Sequence, residues 1–238
     1  MAVDDVPASD STAFGELTTA HVADALVRLG LPVRCAPPGV RPLLPGRRVA
    51  GPARPVRHSG SVDVFLEALT LARPGEVLVV DNGGRDDEAC VGDLVALEVA
   101  QAGLAAIVIW GLHRDTAELR EIGLPVFSAG SLPTGPLRLD PQAPEALLSA
   151  RLGSHLVTVD DLVLADDDGI VLVPRAAASD VAGVAAGIRD TERGQAERMH
   201  GGTSLREQTR FAAYLDDRDR TGITFRQHLR RLGGAIEE

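Results

Sequence analysis

Apolar positions along the chain follow two alternating grammars. In "LTTAHVADALVRLGL", Val22, Leu26 and Leu29 recur at helical spacing, Thr18 or Thr19 can cap the start, and Gly30 suits the end. "VDVFLEALTLARPGEVLVVDNGG" predicts a helix, a turn at Pro74 and Gly75, and a buried strand through Val80. "GDLVALEVAQAGLAAIVIWG" repeats this order, with a helix over Asp93–Gln101 ended by Gly103 and a strand over Ala106–Trp110. "TAELREIGLPVFSAG" is a third, shorter unit. Strands alternating with helices imply parallel pairing, with the helices packed on the sheet.

Other stretches break this order. "GVRPLLPGRRVAGPARPVR" carries Pro42, Pro45, Pro52 and Pro55, which predicts short extended pieces and turns in place of a regular central strand. Beyond Gly130, "HLVTVDDLVLADDDGIVLVP" predicts strands separated by turns, the last two forming a hairpin around Asp166–Gly169. A helix follows over Ser179–Met199. The segment 202–238 places Phe211, Tyr214, Leu215, Phe225, Leu229 and Leu232 in a chain with only 3% aromatic residues. Such a segment has apolar anchors to bury and predicts an ordered arm, packed on its own or a neighbouring subunit. The expected division is a tail over 1–16, an α/β domain over 17–201 and a C-terminal arm over 202–238.

Composition removes several functions. A net charge of −10 over 238 residues argues against a binder of nucleic-acid phosphates. No apolar run approaches membrane-span length, and "MAVDDVPASDSTAF" lacks the apolar stretch of a secretory leader, so a cytoplasmic protein is expected. Cys35 and Cys90 have no metal-ligand or disulfide-framework spacing and read as reduced thiols. All 24 basic residues are arginine. Without lysine there is no side-chain amine for a Schiff base and no P-loop lysine, so carbonyl chemistry here needs a metal or hydrogen bonds as its electron sink. No glycine-rich nucleotide loop follows a strand.

The candidate chemistry sits in "GLHRDTAEL". Arg114 and Asp115 follow the carboxyl end of a strand, the edge where open α/β sheets bind ligands. Asp93 opens the preceding helix, whose free amides at Leu94 and Val95 favour an anion. One crevice can then hold an anion site (these amides with Arg114) and a cation site (Asp115, with Asp93 near). A plainer reading stands beside it: Asp93 and Asp115 are both suitable helix caps. His113 reads as a surface or structural residue. Asp166, Asp167 and Asp168 read as a hairpin turn, since they lack the spaced ligands of a calcium loop.

The segments "GVRPLLPGRRVAGPA", "PGEVLVVDNGG", "GDLVALEVAQAGLAAIVIWGLHRDTAELREIGLPVFSAG" and "LVLADDDGIVLVPR" resemble successive signatures of the family that holds the RraA-like proteins and the class II 4-hydroxy-4-methyl-2-oxoglutarate aldolases. The resemblance runs from about Leu17 to Arg206. Its most specific element is an Asp, twenty intervening residues and Arg-Asp, reproduced by Asp93, Arg114 and Asp115. The resemblance implies an α/β fold of the swivelling β/β/α sandwich type, and a homotrimer or dimer of trimers with sites at subunit interfaces. It implies a divalent cation, Mg²⁺ before Mn²⁺, held by Asp115 and waters. Arg114 then holds the pyruvyl part of an oxo-acid substrate and stabilises its enolate. Asp93 positions the water that acts as acid and base, and the Gly92–Val95 turn, through the amides of Leu94 and Val95, binds the carboxylate. A neighbouring subunit contributes an outer-sphere glutamate, for which Glu192 is the match. The implied activity is cleavage of a 4-hydroxy-2-oxo acid to pyruvate, with oxaloacetate decarboxylation as a companion. The rival expectation is a non-catalytic regulator that binds a ribonuclease. The chain departs from the family pattern at "EACVGD", which sets Glu88 and Cys90 near the site, and in its longer tail.

Overall fold

A computed structural model describes residues 12–232. Helix α1 (Thr19–Arg28) is capped by Thr18, whose hydroxyl accepts the His21 amide. Two short strands follow, β1 (Arg34–Cys35) and β2 (Arg41–Pro42), and then β3 (Val49–Arg57). The repeating units are α2 (Asp63–Leu71) with β4 (Val77–Asp81), α3 (Asp93–Gln101) with β6 (Ala106–Trp110), and α4 (Thr116–Ile122) with β8 (Val126–Ser128). Short strands β5 (Ala89–Val91) and β7 (Leu112–His113) pair beside the main sheet. The chain continues through the hairpins β9 (Ser149–Leu152) with β10 (His155–Thr158) and β11 (Asp161–Asp166) with β12 (Gly169–Pro174). It then enters the long helix α5 (Ala178–His200).

One eight-stranded sheet runs in the order β1-β12-β11-β3-β4-β6-β8-β2. Strands β3, β4, β6 and β8 are parallel, as the βα alternation predicts, and the rest pair antiparallel. Three apolar clusters cover it. Val56, Leu78, Val80, Ile107 and Ile109 pack against Phe65, Val99 and Leu119 of α2, α3 and α4. The opposite face of the parallel strands, through Val79, Val108 and Phe127, packs on Leu152 and Val157 of the β9–β10 hairpin. Leu162, Leu164, Val171 and Val173 meet Leu26 of α1 and Val181 and Ile188 of α5, joined by Phe14 and Leu17. The result is a β/β/α sandwich whose sheet curls so that each part finds a cover.

The proline-rich segment departs from its expectation. β3 is a nine-residue strand in the middle of the sheet, with Pro52 and Pro55 inside it. It changes partners halfway. Val49 to Pro52 pair antiparallel with β11, and Ala53 to Arg57 pair parallel with β4. Each edge is therefore laddered for only half the strand: Pro52 stands at the changeover, where a missing N–H interrupts no ladder, and Pro55 lies within the parallel stretch, opposite Val79. The pattern rule fails because it assumes one partner per edge.

The C-terminal segment forms α6 (Leu205–Gln208), α7 (Phe211–Thr221) and α8 (Phe225–Leu232). Phe211, Tyr214 and Phe225 pack with ring centroids 4.9–5.5 Å apart. The buried His228 ring nitrogen bonds the Thr209 carbonyl at 2.8 Å, and Gln208 donates to the Gln195 carbonyl of α5. Residues 1–11 of the expected tail and 233–238 of the expected arm lie outside the described residues. Among the described residues, no helix is long and apolar enough to cross a membrane.

Candidate functional site

The carboxyl ends of β3, β4 and β6 deliver His58, Asn82 and the Gly111–Asp115 turn to one edge of the sheet. After β6, the chain turns at Gly111, with φ 153°. A Cβ there would stand 2.9 Å from the Asn82 Cβ, so glycine lets the two loops touch. Strand β7 then carries the chain to Arg114 and Asp115, beside the start of α3.

Asp115 is held in the left-handed region, φ 58° and ψ 46°, an uncommon conformation for a residue with a side chain. It occupies the cap position of α4, yet its side chain makes no cap hydrogen bond. Its Oδ2 turns instead toward α3, 3.3 Å from the Asp93 amide and 3.3 Å from Arg114 Nε. Gly92 permits this approach: a Cβ at that position would fall 2.4 Å from Asp115 Oδ2 and 3.1 Å from Arg114 Nε. The capping explanation of Asp115 therefore fails, and that of Asp93 changes, because Gly92 is the cap and Asp93 the first helical residue. The Asp93 carboxylate accepts the Leu94 amide at 2.7 Å. The Leu94 amide is therefore already engaged by the Asp93 side chain.

The sequence-derived residues thus come together, with one exception. Gly92, Asp93, Leu94, Val95 and Arg114 line a single cleft of about 420 Å³; Asp115 is not part of its lining but bonds two residues that are, Asp93 and Arg114. Glu192 lies elsewhere in the chain, on α5, where it pairs with His21 at 3.1 Å. Two of the three Asp carboxylates of the hairpin hold the fold together, and Asp168 takes part through its backbone. Asp166 accepts from the Thr19 amide and hydroxyl and from the Asp168 amide, and Asp167 accepts from the Gly46 amide. His113 is structural: its ring nitrogens bond Ser128 Oγ at 2.7 Å and Thr116 Oγ1 at 3.1 Å. Burial, then the charge of Arg120, holds its pKa below the ordinary imidazole value. Cys35 and Cys90 are both free thiols, and burial pushes the Cys90 thiol far up.

The pattern reading missed a second group at the same edge. His58 Nδ1 lies 2.8 Å from Asn82 Oδ1, and its ring stacks on Phe65 at 5.3 Å. Arg138 donates to that same Asn82 oxygen at 3.1 Å and to the buried Glu88 at 2.9 Å. The signal available was positional: His58 and Asn82 each follow a parallel strand directly, as Arg114 and Asp115 follow β6 and β7.

As donors, the site residues suit a hard divalent cation. Among the described residues no group of three or more His, Cys, Asp or Glu side chains is placed to hold a metal. A single carboxylate completed by waters is how Mg²⁺ commonly binds, whereas zinc takes several protein ligands.

A curled mixed sheet, with a guanidinium and two carboxylates gathered at a parallel strand edge, defines an α/β protein of the β/β/α sandwich class. Residues 19–172 match the RraA-like family, described as Aldolase/RraA, and the chain belongs to that family. A relative from Halalkalibacterium halodurans named "Putative 4-hydroxy-4-methyl-2-oxoglutarate aldolase" is 28% identical over 165 residues, covering 69% of this chain and 76% of its own. A crystal structure of an uncharacterized protein from Pseudomonas syringae superposes with a TM-score of 0.74 at 25% identity, covering 86% of this chain and 98% of that one. Another, from Streptomyces coelicolor, is described as an unusual member of the RNase ES inhibitor RraA protein family. It gives a TM-score of 0.70 at 28% identity, covering 82% of this chain and all of that one.

Proposed function

We propose that this chain is a divalent-metal-dependent lyase that cleaves a 4-hydroxy-2-oxo acid to pyruvate and a second oxo product. The observation that carries the reading is Asp115, a strained residue whose carboxylate leaves its own helix to face Arg114 and the start of α3. Names of relatives such as the H. halodurans protein support the aldolase class.

Asp115 would hold the cation, Mg²⁺ or Mn²⁺, with waters. When bound, the cation supplies a Lewis acid for the 2-oxo group. Arg114, half-exposed at the cleft, presents a planar fork to the carboxylate and carbonyl of the pyruvyl part. The α3 amides add partial positive charge at the carboxylate. Asp93, through a water, takes the proton of the C4 hydroxyl as the C3–C4 bond breaks. The bond's electrons pass to the 2-oxo group, and Arg114 stabilises the resulting enolate until C3 is protonated. Loss of CO₂ from oxaloacetate leaves the same enolate, so decarboxylation accompanies the main activity. The assembly in this reading is a homo-oligomer, a trimer or a dimer of trimers, in which a neighbour's Glu192 approaches the site.

The test is pyruvate release from a series of 4-hydroxy-2-oxo acids, with Mg²⁺ and with excess EDTA. Release that EDTA abolishes, and that Asp115→Asn loses while its melting temperature is kept, is the expected result. Full turnover in EDTA or in the variant refutes the role of Asp115. The description of the S. coelicolor structure supports a second reading, a ribonuclease regulator. No pyruvate from any substrate, with saturable binding to a ribonuclease, would replace the first reading with the second.

A further inference from the structure

The His58 network assigns a specificity to the far end of the cleft. Its chemistry can be read from the donors. Arg138 is a donor only, so the Asn82 atom it bonds is an acceptor oxygen. His58 Nδ1 bonds that same oxygen and must therefore carry the ring proton. Nε2 is left as a bare acceptor, with no hydrogen-bond partner among the described residues. His58 itself lines the cleft that holds Asp93 and Arg114. Burial, then the charge of Arg138, lowers its pKa, in keeping with a neutral ring.

A second observation points the same way. Asn82 is 2% exposed, and its Nδ2 has no hydrogen-bond partner. A buried amide left half-satisfied is costly, and what this one gains is an oxygen aimed at His58. The geometry sacrifices one donor to fix a tautomer.

The charges around His58 decide what Nε2 can meet. Arg138 is engaged by Glu88 and Asp140, and Arg85 by Asp87 and Glu88. Three carboxylates thus offset two guanidiniums, and the Asp63 carboxylate also acts on His58. A bare imidazole nitrogen accepts a hydrogen bond from a hydroxyl but has nothing to donate to a carboxylate. His58 and Arg114 line the same cleft, and β4 lies between β3 and β6, so the strand ends from which their loops leave are two strand spacings apart, roughly 10 Å. A five-carbon acid with a hydrogen bond at each end spans about that distance.

We propose that His58 is a specificity-determining residue that accepts a hydrogen bond from an uncharged, hydroxylated tail. Among 2-oxo acids of five carbons or more, which reach His58, the preferred substrates are then monoanionic and hydroxylated, and 2-oxoglutarate-type dicarboxylates are disfavoured. That sets this chain apart from the substrate in the name of the H. halodurans relative; the shorter oxaloacetate is not affected. This rests on the oxo-acid reading above.

Calorimetric titration in Mg²⁺ separates the two ideas. The probes are pyruvate, 5-hydroxy-2-oxopentanoate and 2-oxoglutarate. The last two differ only in a terminal hydroxymethyl or carboxylate, and neither has the C4 hydroxyl needed for cleavage. The hydroxyl ligand should bind about tenfold tighter than 2-oxoglutarate, the scale of one hydrogen bond gained over an unpaired charge. His58→Phe, which keeps the stack on Phe65 but removes the acceptor, should abolish that preference, and His58→Gln should keep part of it. Equal or tighter binding of 2-oxoglutarate to the wild type overturns the inference, and so does a preference that survives in a folded His58→Phe protein. If His58→Phe fails to fold, the wild-type pair of ligands decides alone. Pyruvate binding without the tail preference leaves the oxo-acid reading standing and removes only this one. Absence of pyruvate binding removes both.

Discussion

Gly92→Ala isolates the site from the fold. The added Cβ would lie 2.4 Å from Asp115 Oδ2 and 3.1 Å from Arg114 Nε, and both atoms belong to side chains that are partly exposed. Relief requires the Asp115 carboxylate to move by about 1 Å, and a misplacement of that size near the chemistry costs about a hundredfold in rate. That corresponds to roughly 2.7 kcal/mol of transition-state stabilisation. The effect on stability is much smaller. The strained atoms can swing into solvent, and alanine in place of glycine at a helix cap costs from a few tenths to about 1 kcal/mol. The measurements are kcat/KM for pyruvate release and the thermal midpoint of the same preparation. The expected outcome is a rate loss of about two orders of magnitude with a midpoint within a few degrees of wild type. Activity within threefold of wild type would show that the approach of Asp115 to Gly92 has no catalytic meaning. Loss of activity together with the fold would show that it is architectural.

Three further expectations follow from the geometry. Arg114→Lys keeps the charge but loses the planar fork, and kcat/KM should fall by about a hundredfold or more, so a loss under threefold assigns Arg114 a structural role. His113 is held below the ordinary imidazole value of 6.5 by burial, so the stability it contributes is present above that pH and lost as pH falls below it. The thermal midpoint should accordingly drop between about pH 7 and about pH 5, and drop less in His113→Gln; parallel curves would refute the assignment. Truncation after Gly202 should lower the mass seen in light scattering and reduce activity as subunits separate, whereas unchanged mass and turnover would show the arm to be dispensable.

The βα units were legible because each is a local sentence. A capped amphipathic run, a glycine and an apolar strand sit within two dozen residues, and Asp93–Gln101 and Ala106–Trp110 appear at the bounds the pattern gives. β3 was illegible because its prolines read locally as strand breakers, while the two partners that make it a strand, β4 and β11, lie outside the segment itself. The site divides in the same manner. Asp93, Arg114 and Asp115 were found through their spacing and position, but the left-handed backbone of Asp115 has no sequence signature. His58 and Asn82 were missed because neither is informative alone. Their meaning comes from Arg138, which reaches them from a loop more than fifty residues further along the chain.

The change of partner within β3 also bears on how the molecule assembles. Its pairing with β4 closes a short stretch of chain, from Ala53 to Val77, whereas its pairing with β11 joins Pro52 to Leu162. Closing the longer loop adds little to the equilibrium cost, since each doubling of length adds only about 0.6 kcal/mol. It weighs more on the rate, because distant pairings must wait for the chain to find them. The parallel half has local reasons to form, while the antiparallel half must dock onto the first residues of a strand already in use. A single nine-residue segment thereby makes one cooperative unit of two halves that differ in topology, in helical cover and in speed.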